Sequence, residues 1–363
     1  MKNILLILVG GTICSASGDN GTLSVTEKAG ITLKENFLKS SSPYRDKVNM
    51  DLTENLFILS ENMTVDKWNL IIGTYRKYTE NRSYDGIIFA HGTDTLAYSS
   101  SLFGLLLAGT SVPVFFVSAN KPLSSCNSNG NENFRCAVEL ICRGISPNVY
   151  VPYKNISDGK MYLHLGTRLR QCENYSEDFK SAGAFDITDI SEENCGEIFK
   201  AIAEKYPQNL KKPLLNISDS ITLRNCVLKF DPYVGINYDA YDYGKFSAVL
   251  HGSYHSCTAC AEKTEKSDNY SENSVLYMID RCGEQTPKTD VYFSPAKLSG
   301  DIYETANIIG HHKSENGHHP KLLYGYTPEA AYCKLLLAYS VFGDKKERED
   351  FINSECNFEV IEK

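Results

Sequence analysis

The chain has 363 residues, 42% of them hydrophobic and 23% charged, and a net charge of −8 at pH 7. That length exceeds one ordinary core and implies two domains, with the composition of a soluble globular protein. The negative balance and the lack of a basic cluster exclude nucleic acid as the main partner. No segment reaches the roughly 20 apolar residues that cross a bilayer, which excludes a spanning helix.

Met1-Lys2-Asn3 followed by Ile4–Val9 imitates a secretory leader, but an apolar core of about six residues falls short of the roughly 7–15 such leaders need. A lipoprotein signal before Cys14 would need a small residue where Ile13 stands. The segment reads instead as a first buried strand. Gly10-Gly11-Thr12 then allows a sharp turn at the strand end that presents a hydroxyl to an open crevice. Alone, this motif is equally a glycine turn with an incidental threonine. Gly18–Gly21 reads as a mobile loop able to act as a lid.

Strand patterns follow at Leu56–Leu59, Gly86–Ala90, Val112–Val117 and Val149–Val151, alternating with helical patterns at Val65–Thr79, Thr95–Leu107, Glu132–Cys142 and Cys195–Lys205. Such alternation means βαβ units and a mostly parallel sheet, an α/β fold. His91-Gly92-Thr93-Asp94-Thr95 follows the third strand and opens a helix, so helix amides face the strand tip. A hydroxyl beside a carboxylate there is by itself an N-cap pair. Together with Gly-Gly-Thr at another strand tip it points to a hydroxyl nucleophile, because strand carboxyl ends are where open α/β sheets bind ligands.

Pro207 and Pro213 interrupt the pattern over Tyr206–Asp219. It resumes with Val227–Phe230 and Ala248–Leu250, and a helix starts at Thr327-Pro328, Thr as cap and Pro at the first position. This places a larger N-terminal domain carrying the site at about 1–210 and a smaller α/β domain at about 220–363. Twelve cysteines without a framework pattern suit a reducing cytosol. Cys257-Thr258-Ala259-Cys260, preceded by His251 and His255, invites zinc but lacks a second ligand pair. No metal or organic cofactor is expected.

The motifs Gly-Gly-Thr-Ile and His-Gly-Thr-Asp-Thr resemble the two signatures of the L-asparaginase family. Ser60-Glu61-Asn62-Met63-Thr64 with Trp68 resembles that family's substrate loop, closest to its form in the archaeal tRNA-dependent amidotransferase D subunit. Ser118-Ala119-Asn120-Lys121-Pro122 and Thr327-Pro328-Glu329-Ala330-Ala331 resemble later family segments. The resemblance implies two α/β domains and hydrolysis of a side-chain amide to carboxylate and ammonia. Thr12 would be the nucleophile, Thr93 would orient a nucleophile or water, and Asp94 would hold the charge network and the substrate's α-amino group. Ser60 would bind the α-carboxylate, with Glu61 near the amino group. Gly11, Gly92 and Ala119 would line the substrate, amides around Thr93 and Ala119 stabilising the oxyanion.

The family completes its triad with a lysine, for which the matching segment Leu165–Arg170 offers Arg168. Arginine stays protonated, so Arg168 could pair with Asp94 but not act as a base. No tyrosine occurs between Thr12 and Glu27, where the family usually has one, and Glu61 replaces a glutamine of some members. The expectation is therefore a divergent, cytoplasmic amidohydrolase acting on L-asparagine or a related ω-amide such as L-glutamine, a homodimer or homotetramer by family habit. An amidase subunit feeding ammonia to a partner is a variant that the missing N-terminal extension disfavours. The alternative is an amide-binding protein that has lost the proton relay.

Overall fold

The computed structural model describes residues 1–17, 23–25, 29–217, 219–263, 270–297 and 300–361. The loop expected at Gly18–Gly21 lies outside the described residues. Two compact units emerge: Met1–Thr222 with Glu355–Phe358, and Leu223–Ser354 with Glu359–Lys363.

The first unit is built on a seven-stranded sheet. Its strands are β1 (Lys2–Leu8), β2 (Val48–Leu52), β3 (Gly86–Ala90), β4 (Val114–Val117), β5 (Val149–Lys154), β6 (Met161–Leu165) and β7 (Phe185–Asp186). Their order is β7-β6-β5-β4-β3-β1-β2, with β2 to β5 and β1 parallel and the last two strands antiparallel. The order reverses at β1, which lies between β2 and β3, so a crevice opens beyond the carboxyl ends of β1 and β3. Continuous burial of β3 and β4 explains their unbroken apolar sequences. Phe89 stacks on Phe116 with ring centroids 4.5 Å apart beneath that crevice.

Helices α1 (Ala29–Leu38), α2 (Val65–Thr79), α3 (Leu96–Leu106), α4 (Gly130–Arg143) and α5 (Cys195–Lys205) belong to the same unit. Thr64 caps α2 by accepting from the Lys67 amide. The strand expected at Leu56–Leu59 is a correction: only Ile58 bridges, to Gly10, and the partner of β1 is β2. Val-Asn-Met-Asp-Leu buries Val48 and Met50 while exposing Asn49, so its half-polar sequence hides a parallel strand.

The second unit carries a parallel four-stranded sheet, β8 (Val227–Phe230), β9 (Ala248–His251), β10 (Asp290–Ala296) and β11 (Lys321–Tyr324), in sequential order. Helices α6 (Val275–Gly283), α7 (Glu304–His311), α8 (Pro328–Val341) and α9 (Lys345–Asn353) complete it. The larger α/β layer with its mostly parallel sheet and the smaller C-terminal one are as the sequence predicts. His251 is buried and bonds the Tyr238 hydroxyl at 2.6 Å, which commits it to the core of this unit. Among the described residues no group of three His, Cys, Asp or Glu side chains could hold a metal ion. The twelve cysteines are free thiols. No helix among the described residues is long and apolar enough to cross a membrane.

Candidate active site

The tips of β1 and β3 are locked together by backbone contact. Leu8 pairs with Ala90 in register, and the Val9 and Gly10 amides both donate to the Ala90 carbonyl, at 3.0 and 3.2 Å. The Gly11 amide then donates to the Ile58 carbonyl at 3.0 Å. Gly11 has φ +73°, and a Cβ there would lie 2.2 Å from the Gly92 Cα. Only glycine satisfies both the dihedral and the approach. The two motifs thus touch, and Thr12 and Thr93, which follow these glycines in the chain, are both half-buried. Thr12 opens a short turn whose Ile13 and Cys14 are buried beneath it.

Ser60 ties a third segment to this pair. It is buried, its hydroxyl donates to the Asp94 carboxylate at 3.0 Å, and the Asp94 amide approaches the same oxygen at 3.3 Å. Thr95 donates back to the Ser60 carbonyl at 3.0 Å. A Cβ on Gly92 would fall 2.4 Å from the Ser60 hydroxyl oxygen, so Gly92 makes room for this contact. Trp68, donating to Ser99 at 2.9 Å, fixes α2 against α3 and so holds the turn containing Ser60 in place. Glu61, in that turn, is exposed. Ala119, just past β4, is buried against Gly130. His91 beneath Gly92 is neutral: burial pushes its pKa down to about 4, against the opposing pull of the Gly92 carbonyl and Asp94.

The other flank is made by the segment after β6. Arg168 ends a turn that sends its guanidinium to the Phe358 carbonyl and over the Tyr206 ring, 5.4 Å from its centroid. Gln171, three residues on, is brought against the main chain of Asp94. The Gln171 amide donates to the Asp94 carbonyl oxygen and accepts from the Ala97 amide at 3.3 Å, joining the first turn of α3. A hairpin of Leu169–Arg170 with Lys180–Ser181 follows. The connection between its strands, Gln171–Glu177, lines a cavity of about 310 Å³ with Thr93, Asp94, Asn120 and Tyr153. Sequence reasoning misses Gln171, Asn120 and Tyr153 as site residues. An amide carries no charge or nucleophile to draw attention, and only the three-residue offset of the turn reveals Gln171.

The asparaginase N-terminal family model matches residues 3–203, more than half of the chain. The chain belongs to the asparaginase family. Among its relatives, the glutamyl-tRNA(Gln) amidotransferase D subunit of Methanosphaera stadtmanae is 26% identical over 351 residues, 93% of this chain and 72% of that one. Its counterpart in Halobacterium salinarum is 31% identical over 185 residues, 51% of this chain and 42% of that one. In fold, the thermostable L-asparaginase of Thermococcus kodakarensis matches 99% of both chains with a TM-score of 0.68 at 19% identity. L-asparaginase I of Vibrio cholerae matches 99% of both with a TM-score of 0.63 at 17% identity.

Proposed function

We propose that this protein is a cytosolic amidohydrolase that cleaves the side-chain amide of an amino acid, L-asparagine or L-glutamine, through Thr12. The Thr12 hydroxyl oxygen attacks the amide carbon, the C–N bond breaks, and ammonia leaves with the hydroxyl's proton. Water then cleaves the ester, giving the carboxylate and restoring the hydroxyl. The observation that supports this reading is the contact of Gly11 with Gly92, which brings the two threonine-bearing motifs together. Ser60 and Glu61 would take the substrate's α-carboxylate and α-amino ends, and amides around Thr93 and Ala119 its developing oxyanion. The amidotransferase relatives make L-glutamine a substrate to test on equal footing with L-asparagine, with delivery of the ammonia to a protein partner as the finer possibility. A homodimer or homotetramer is the assembly we propose for the chain alone.

Ammonia release from both amino acids by wild type and Thr12→Ala tests this. Turnover in the wild type and its loss by more than about 10³-fold in the variant is expected, the order of magnitude typical when a nucleophile is removed. Turnover that survives Thr12→Ala overturns the assignment. A second reading, amide binding without hydrolysis, is favoured by Arg168, which stays protonated where the family resemblance places a lysine. Saturable binding of L-asparagine by a wild type that releases no ammonia would select it.

A further inference from the structure

On one face of the sheet, below the tips of β3 and β4, three aromatic rings pack together. Ring centroids are 4.5 Å apart for Phe89 and Phe116, 4.9 Å for Phe89 and Phe103, and 5.5 Å for Phe103 and Phe116. Side chains return to one face every second residue of a strand and every fourth of a helix. His91 therefore follows Phe89 on this face, and Ser118 follows Phe116. Ser99 lies one turn before Phe103 in α3, which starts at the tip of β3 and runs back along the sheet. The His91 ring is edge-on to Phe116 at 5.9 Å, while Ala119 packs on the opposite face against Gly130 of α4, as alternation requires. A polar layer of His91, Ser99 and Ser118 thus caps the aromatic one, and all three are fully buried.

Their hydrogen bonds do not close among themselves. His91 Nδ1 lies 2.7 Å from the Gly92 carbonyl oxygen, an acceptor only, which assigns the ring proton to Nδ1. The ring is neutral, so Nε2 offers a bare lone pair, and it bonds nothing among the described residues. The Ser118 hydroxyl likewise has no partner among them. Ser99 accepts from the Trp68 indole at 2.9 Å and keeps its own hydroxyl proton to give. Native interiors complete such groups, with ordered water where the protein itself supplies no partner.

We propose that one buried water molecule sits between His91, Ser99 and Ser118, donating to His91 Nε2 and the Ser118 hydroxyl oxygen and accepting from Ser99. Water fits because it has both protons and lone pairs, whereas a metal or ammonium ion offers no lone pair to the Ser99 proton. The site lies where the sheet's own bonding runs out. Among the described residues, the last main-chain bond joining β3 to β4 at this end runs from the His91 amide to the Val117 carbonyl, at 2.9 Å. Beyond it, side chains must set the spacing of the two tips. Ser118 immediately precedes Ala119, and His91 stands two residues before Thr93. Resting at this step on the amidohydrolase reading, His91, Ser99 and Ser118 are positioning residues: through the water they hold the Thr93 and Ala119 amides at the separation an oxyanion needs.

A high-resolution crystal structure and 15N nuclear magnetic resonance of the intact protein test this, in wild type and Ser118→Ala, with kcat and KM for ammonia release measured beside them. We expect an ordered water within hydrogen-bonding distance of all three side chains, and the Nδ1–H tautomer at His91. Ser118→Ala should shift the amide resonances of Thr93 and Ala119. It should lower kcat at least about five-fold and leave KM within about two-fold, because the oxyanion forms after substrate has bound. A direct bond between Ser118 and His91, a proton on Nε2, or no water on these atoms would overturn the water site whatever the activity. Unmoved Thr93 and Ala119 resonances, or an unchanged kcat, in Ser118→Ala would overturn the positioning role. A wild type without turnover would count against the hydrolase reading alone, since the crystal structure and the amide resonances still decide this proposal.

Discussion

Gly11 and Gly92 meet backbone to backbone at the carboxyl ends of β1 and β3, with Ser60 tied to Asp94 through its hydroxyl, whereas the segment after β6 reaches Asp94 through the Gln171 side chain. At the glycine contact, a side chain on Gly11 must move two strands to be accommodated. In the second, a different side chain needs only to reach a different partner, as Arg168 does. The comparison teaches where a fold of this kind can change its chemistry. The side on which we propose the nucleophile is fixed by steric contact, and the side that would handle protons or choose the substrate is free to diverge.

The largest effect should come from breaking the first half. Gly11→Ala combines a positive φ with a Cβ 2.2 Å from the backbone of Gly92, and should cost more than about 3 kcal/mol of stability, with activity lost. Gly73→Ala is the control. That glycine lies exposed in α2 with nothing within 4 Å of a new Cβ, and the same change should stabilise by about 1 kcal/mol. Denaturant midpoints measure both. If Gly11→Ala is as benign as Gly73→Ala, the strand tips are not locked as described.

The same contrast explains what the sequence could reveal. Gly10-Gly11-Thr12 and His91–Thr95 are legible because steric contact confines them to a few residue types, and β1, β3 and β4 because full burial makes them continuously apolar. The strand Val48–Leu52 is hidden by its polar face, and the return of Glu355–Phe358 to the first unit has no local signature. Arg168 draws attention ahead of Gln171 because spacing along a chain does not say which way a turn throws its side chains. Here Thr167 turns inward to the Asn357 carbonyl at 2.8 Å, and its neighbour is carried the same way to Phe358.

Each half also carries one buried neutral histidine. Burial lowers His91 to about 4 and His164, which bonds Ser181 in the hairpin, to about 3, from the ordinary 6.5. The unfolded chain then takes up protons that the folded one refuses, so stability falls as pH drops from about 6.5 and stops falling once each folded-state pKa is passed. The loss should reach roughly 3 kcal/mol for His91 at pH 4. Unfolding free energies across pH 4–8 for wild type, His91→Gln and His164→Gln check this, each variant flattening its share. A variant whose pH slope matches the wild type would show its histidine to be protonated in the fold.

A smaller effect is expected for Ser60→Ala, which removes the hydroxyl that donates to Asp94 but leaves the backbone where it is. About 1–2 kcal/mol, read as a ten-fold or somewhat larger loss of kcat/KM, is the usual worth of a hydrogen bond to a charged group. Thr95, which donates to the Ser60 carbonyl, still orients the turn in that variant. A drop in stability without a change in kcat/KM would make Ser60 a purely structural tie.

The smallest effect belongs to Arg168. Its guanidinium serves the Phe358 carbonyl and the Tyr206 ring, so Arg168→Lys keeps a cation for both and should change stability by no more than about 1 kcal/mol and kcat/KM by less than two-fold. Gln171→Lys is its counterpart at the position that does meet Asp94. A lysine there brings an ammonium against the main-chain carbonyl of Asp94, at the edge of the proposed site, so it should alter kcat and introduce a new ionisation into its pH profile. The pair of variants sharpens the comparison within one segment: three residues apart, one substitution should leave catalysis alone and the other should reset it. If Arg168→Lys, and not Gln171→Lys, changes the pH profile, then the turn at Gly166–Arg168 delivers its side chain to the site during the reaction, and the second half is more tightly coupled to the first than its contacts imply.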